Sequence, residues 1–285
     1  MLGRYLSRRM AVHRKSTLNN QLRTQTSERR EGIRILFLIS ALCILLSERV
    51  VADYEPVDVT DGGTITGLVK FPGETAPAAM YTNRDEPNCP HGIAQDHLLV
   101  KQENRGIQNV LIILEIHRGK PAPRSPAQLV NENCVFRPRV QWVSKNVNLV
   151  LKNNDPALHN VHALSQELTI FNVDLPSGGS PVRRPLIIPG LYQVNCDRHL
   201  WMRAWIYVSE HPYVAVTDAT GRFTLADVPP GRYTLRAWHE GWIPRGKSSE
   251  GRMEFQPMQQ IIDVDVHSGR TTDLLLEDLQ ATFPM

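Results

Sequence analysis

Asn195-Cys196-Asp197-Arg198-His199-Leu200-Trp201-Met202 carries three soft-metal ligands spaced Cys-x2-His-x2-Met. A thiolate, an imidazole and a thioether on one tight loop suit copper: the first two bind in plane, and the thioether sits as a long axial ligand. The set needs a second imidazole from elsewhere. His159 supplies a candidate, in Asn153-Asn154-Asp155-Pro156-Ala157-Leu158-His159-Asn160-Val161. Taken singly, Cys196 reads as a buried structural cysteine and Met202 as a core filler. The spacing with His199, at the end of a strand, is what points to a metal.

Working outward, the flanks read as strands. Val147 to Leu151 alternates apolar and polar and delivers the chain to the Asn153-to-Pro156 turn. Leu191 to Asn195 ends at Cys196, and Ala204 to Val208 alternates after Met202. Val135 to Val143 is a strand interrupted by Pro138, and Phe171 to Leu175 is another. His162 is a rival to His159. Residues three apart on an extended strand face opposite ways, so both cannot reach one metal without a backbone turn between them; His162 is placed at the rim. His91 and His239 fall in turn-like or strand-end settings and are not assigned a metal. Trp201 and Trp205 are read as packing that walls the site from water. Asp197 and Arg198 are expected at the surface, where a redox partner can read them, beside an apolar loop face around Leu200.

The pair Asn-Asn-…-His-Asn-Val and Cys-x2-His-x2-Met resembles the copper site of the cupredoxins, and its short His-to-Met gap is similar to that of amicyanin. The resemblance implies one type 1 copper held by His159, Cys196, His199 and Met202. It also implies that Asn160 braces the ligand loops through hydrogen bonds. Amicyanin has Pro after the second His where this chain has Leu200, which removes no ligand.

The last third carries a second pattern. Thr217-Asp218-x2-Gly221-x-Phe223-x-Leu225, followed by Pro229-Pro230-Gly231-x-Tyr233-x-Leu235, resembles the carboxypeptidase regulatory-like, or transthyretin-like, β-sandwich. Gly63 to Phe71 and Asn109 to Ile116 fit that module's opening strands, while Ile261 to Val266 and Thr271 to Leu276 would finish it. The implied fold class is all-β. A cupredoxin-like Greek-key domain at 133–210 is inserted in a discontinuous sandwich of 53–132 and 211–285, or else the two sandwiches are consecutive. Together the resemblances are similar to exported cupredoxin-like proteins grouped with methylamine utilisation.

The chain has 285 residues, 41% hydrophobic and 21% charged, with 20 prolines and 18 glycines that favour turns and β structure. Residues 1–52 hold ten of the 32 Lys/Arg and three of the 29 Asp/Glu, leaving 22 basic and 26 acidic residues and a net charge near −4 in 53–285. The basic balance belongs to the leader, and no nucleic-acid surface is indicated. Ile35 to Leu46 is too short to span a bilayer comfortably and fits the apolar core of a secretory signal, with cleavage expected after Ala52. The alternative is an uncleaved membrane anchor. Export leads to a periplasmic or other oxidising compartment. Cys43 leaves with the leader and Cys196 is taken by the metal, so Cys89 and Cys134 are the disulfide candidates.

No phosphate-binding Gly loop, His-Glu-x-x-His or Gly-x-Ser-x-Gly is present, and no catalytic residues are assigned, so the chain is not expected to be an enzyme. Two functions follow: a one-electron carrier with a redox protein partner, or a copper delivery or storage module with a copper acceptor.

Overall fold

The computed structural model describes residues 53–73, 80–81 and 87–282. The expected leader and its cleavage point lie outside them. Among the described residues every regular element is a strand.

Leaving aside two-residue bridges, the strands are β1 (Gly63–Val69), β2 (Leu111–Glu115), β3 (Ala127–Glu132), β4 (Val135–Arg137), β5 (Val140–Ser144), β6 (Val147–Asn153), β7 (His159–Ser165) and β8 (Leu168–Leu175). There follow β9 (Val182–Leu186), β10 (Gly190–Asn195), β11 (Arg203–Ser209), β12 (Val214–Val216), β13 (Arg222–Val228), β14 (Gly231–Lys247), β15 (Met253–Val266) and β16 (Thr271–Leu276).

They form two packed pairs of sheets. In the first pair a sheet in the order β9-β6-β3-β4 faces one in the order β8-β7-β10-β11-β5. Leu129, Phe136, Leu149, Leu151, Val161, Tyr192, Val194 and Ile206 fill the space between, all at most 1% exposed. β6 shows why: Val147, Leu149 and Leu151 point inward and are buried, while Asn148 is exposed, the period of two that a half-buried strand requires. β3 belongs to this sandwich by its pairing with β6 and β4, so its sheet starts ahead of residue 133.

In the second pair β12-β2-β14-β15, with a short bridge at Gln280–Ala281, faces β13-β1-β16 around Ile65, Ile107, Ile112, Leu114, Leu235 and Leu276. β1 and β2 thus pair with strands that lie a hundred or more residues later. The turn at Gly221 joins β12 to β13, but these strands do not pair with each other. β12 lies on β2 and β13 lies on β1, in opposite sheets.

Between the two sandwiches lies a third apolar layer. Val140, Trp142, Leu191, Trp205 and Tyr207 from the first meet Leu111, Ile113, Val214, Val216 and Trp238 from the second. The Trp205 and Trp238 rings meet edge to face at 5.0 Å. At the other side of this seam are ion pairs rather than aromatics, Arg139–Glu240 at 2.7 Å and Arg203–Glu254 at 2.6 Å. β14 and β15 run far beyond the four-stranded sheet as a long hairpin. Its ladder slips between His239 and Ile243, where Gly241 has φ +95° and a Cβ would fall 1.7 Å from the Gln256 carbonyl oxygen. Only glycine fits there. The hairpin turn, Ser248 to Gly251, closes on Gly251 N–H donating to Ser248 O at 2.9 Å.

Candidate metal centre

The site forms where β7 starts and β10 ends. The two strands are antiparallel, with His162 opposite Asn195, so the residues before His162 run alongside those after Asn195. The same register brings Asn160 to Asp197. The Asp197 N–H donates to Asn160 Oδ1 at 2.7 Å, and Asn160 Nδ2 donates to Asp197 Oδ2 at 2.8 Å. Asn160 therefore ties the strand of His159 to the loop of Cys196. The loop is tight: Met202 N–H donates to His199 O at 2.9 Å and Cys196 N–H to Met202 O at 3.3 Å before β11 leads away.

This arrangement brings together three of the four residues expected to bind metal. His159 Nδ1 and His199 Nδ1 lie 2.9 Å apart, and Cys196 Sγ is 3.5 Å from His199 Nδ1. His159 and Cys196 are 0% exposed and His199 is 5% exposed. Met202 closes the loop and is buried in the same apolar core as Cys196. A metal at about 2.0 Å from two nitrogens and about 2.3 Å from a sulfur in a trigonal plane needs donors about 3.5 and 3.7 Å apart. The observed separations fall within several tenths of an ångström of that, and two imidazoles with a thiol are a donor set chosen by copper or zinc. The residues fit the metal.

Each donor has its state set by neighbours. Asp155, as a carboxylate, accepts from His159 Nε2 at 2.9 Å and from the N–H groups of Asn133 at 2.7 Å and Cys134 at 2.9 Å. An acceptor there places the proton on Nε2 and leaves the Nδ1 lone pair facing the site. Burial holds His159 below the ordinary histidine range against the pull of Asp155, so the ring is neutral at pH 7. Burial pushes the Cys196 thiol up, opposed by N–H groups of Asn160, His199 and Arg198. Metal binding at Cys196 therefore releases a proton.

The surroundings seal the site. Cys89 and Cys134 form a disulfide, and Cys89 Sγ lies 3.9 Å from His199 Nε2. The Trp201 ring centre is 5.0 Å from that of His199, and its Nε1 donates to Cys134 O at 2.9 Å. Cys134, Asp155 and His159 also cluster, but the disulfide and the three bonds to Asp155 already occupy that group. His162 lies outside the set, its ring bonded to Asp197 Oδ1 at 2.9 Å and Thr169 Oγ1 at 2.8 Å. His91 is exposed, and the buried His239 accepts from Gly241 N–H, so neither joins a ligand group. Asp197 is exposed, as expected, and is also held by its neighbours. Burial pushes its carboxyl up, but bonds from His162, Asn172 and Asn160 outweigh that and hold it below the ordinary range. A polar cleft lined by Asn160, Asn172, Asp174, Asp197 and Arg198 opens beside it.

Leu200 is not an open apolar face. It is half-buried, with Gly251 of the long hairpin against its side chain. The next residue, Arg252, is 2% exposed and donates to the carbonyls of Leu200 at 2.7 Å, Cys196 at 2.8 Å and Met202 at 3.1 Å. Sequence reasoning missed two functional residues here. Asp155 was visible in the Asn153-to-Pro156 stretch but read only as a turn. Arg252 lies in a charged hairpin with no motif to mark it.

A family model described as polysaccharide lyase family 4, domain II, matches residues 190–274, from the start of β10 into β16 and less than a third of the chain. No curated protein matches the chain. Similar solved structures include a purple cupredoxin from Nitrosopumilus maritimus, 22% identical over 29% of this chain and 99% of that one, TM-score 0.27. Amicyanin from Paracoccus versutus is 16% identical over 34% of this chain and 97% of its own, TM-score 0.27. The copper-containing nitrite reductase of Thermus scotoductus SA-01 is 19% identical over 32% of this chain and 24% of that one, TM-score 0.28.

Proposed function

We propose that this chain is an exported type 1 copper protein that carries single electrons in the cell envelope and catalyses no reaction of its own. The observation that carries the reading is the meeting of His159 Nδ1, His199 Nδ1 and the Cys196 thiol in one buried pocket. Copper bound there would supply a one-electron couple tuned by its surroundings. The chain's own residues do the rest. Asp155 fixes the His159 ring, Asn160 locks strand to loop, and Met202, buried at the end of the loop, would serve as the weak fourth ligand. Because these bonds hold the donors in place before metal arrives, little needs to move when the charge on the site changes. The Cys89–Cys134 disulfide and the apolar run Ile35 to Leu46 support export. Delivery of copper to an acceptor is less well served, since the imidazole nearest the surface lies under a disulfide and Trp201.

The test is the visible absorption spectrum of the purified chain after one equivalent of Cu(II). An intense thiolate-to-copper band, lost in Cys196→Ser, is expected. Copper retained without that band, or a band that survives in Cys196→Ser, overturns the type 1 reading.

A further inference from the structure

We propose that Arg252, a residue of the second sandwich, is the positioning residue of the metal loop, holding it in its ligand-ready shape and raising the electron affinity of the site. Within the loop from Cys196 to Met202 the backbone-to-backbone bonds are two, Met202 N–H to His199 O and, at its base, Cys196 N–H to Met202 O, beside the N–H groups of Arg198 and His199 that face the Cys196 sulfur. Arg252 supplies three more, and they fall on the carbonyls of two expected ligands and of the residue after the third. A guanidinium is a rigid planar fork of donors, so these carbonyls are held at fixed positions relative to one another.

The hairpin is built to deliver that group. Arg252 N–H donates to Ser248 Oγ at 3.2 Å, and Ser248 N–H to Arg252 O at 2.8 Å, squaring the turn. Gly251 takes the φ of +89° that the turn needs. Arg203, one residue past the loop, is pinned to Glu254 at 2.6 Å, two residues beyond Arg252. Among the described residues no carboxylate lies within ion-pair distance of Arg252, and its Nε has no hydrogen-bond partner. A buried cation with no carboxylate in contact, Glu250 and Glu254 acting on it only from a distance, is costly to stability. It lies beside Cys196, the one free cysteine among the described residues. Its positive charge favours whichever state of the site is the less positive, which is the reduced one. This second effect rests on the copper reading above; the positioning effect does not.

The experiment compares wild type, Arg252→Met and Arg252→Lys as the full chain with the disulfide intact. Two quantities are read: the iodoacetamide alkylation rate of Cys196 in metal-free protein, followed at its own peptide by mass spectrometry, and the copper reduction potential. Expected for Arg252→Met is a rate at least tenfold faster and a preference for Cu(I) over Cu(II) at least tenfold weaker, about 59 mV for one electron. Arg252→Lys keeps the charge and loses the fork, so it retains most of the potential but alkylates faster than wild type. Should Arg252→Met not fold, Arg252→Lys alone decides: a wild-type rate there overturns the positioning role. Wild-type values of both quantities in Arg252→Met overturn the whole inference. Protein that binds no copper but shows the alkylation difference sinks the copper reading and leaves Arg252 as the residue that positions the loop.

Discussion

Asp155 lies 2.9 Å from Nε2 of His159, four residues along the chain, and is the group that decides which nitrogen of that ring can bind a metal. Asp155→Asn keeps the shape but replaces an acceptor with an amide that can also donate, so the ring is free to carry its proton on Nδ1. Such changes behind a ligand weaken metal binding by roughly 10–100-fold. Chelator competition should show that loss in Asp155→Asn while Cys196→Ser removes the visible band altogether. Unchanged affinity in Asp155→Asn would mean the ring is oriented by something else.

Arg139 and Glu240 join the two sandwiches by a 2.7 Å ion pair whose side chains are 8% and 3% exposed, with Asp96 2.6 Å away on the guanidinium's other side. Burial works against the Arg139 charge, but Glu240 and Asp96 outweigh it and raise its pKa above the ordinary value. Removing one partner of a buried pair costs about 3–5 kcal/mol. Glu240→Ala should fall at the lower end of that range, since Asp96 remains. Urea unfolding gives the number, and a loss below about 1 kcal/mol, as for an exposed pair, would show that the seam is wet.

His239 is 2% exposed, and burial, helped by Arg139 and His97 and opposed by Glu240, pulls its pKa from 6.5 down to about 4. The unfolded chain takes up this proton near pH 6.5 and the folded one only near 4. Between these values the unfolded state holds more protons, so stability is full above pH 6.5 and is lost as pH falls toward 4. The shift is worth on the order of 3 kcal/mol. His211, also pulled down to about 4 by burial, adds to the same window. The midpoint for urea unfolding should drop steadily between those pH values, and less steeply in His239→Asn. Equal slopes would assign the acid sensitivity elsewhere.

The Cys89–Cys134 disulfide closes a separation of 45 residues. A loop of that length restricts the unfolded chain by about 4 kcal/mol. The double variant Cys89→Ser, Cys134→Ser should lose stability of that order in a urea titration. Because Cys89 Sγ lies against His199 Nε2, it should also expose the metal site, and chelators should strip copper from it faster. Stripping at the wild-type rate would show that the cover is held by other contacts.

The metal loop was legible because its chemistry is local. Cys196, His199 and Met202 lie on one turn, and alternation on either side marks the strands that present them. His159 is favoured over His162 because the Asn153-Asn154 turn before it and Asn160 after it match the cupredoxin pattern; a strand's period of two says only that the two cannot easily share one metal. What the sequence hid is long-range. The three carbonyls that Arg252 holds are 50, 52 and 56 residues away. Nothing in Gly251-Arg252-Met253 marks it, since an arginine in a hairpin usually faces water. Ala127 to Glu132, which forms β3, was missed because it mixes polar and apolar residues. The pairing of β12 with β2 and of β13 with β1 is long-range too, and only the closed sandwich shows that each run has a distant partner.

β2 and β12 are antiparallel neighbours, with Val214 opposite Ile113, yet about a hundred residues of chain separate them. Topologically, the whole sandwich that carries the candidate site occupies the place of a single hairpin turn. Its entry and exit points lie side by side, so a scaffold of this kind accepts a foreign domain as readily as it accepts a short connection. Such a graft leaves the host sheet unbroken, and the seam of Trp205 on Trp238 with the reach of Arg252 is what converts a passenger into a resident.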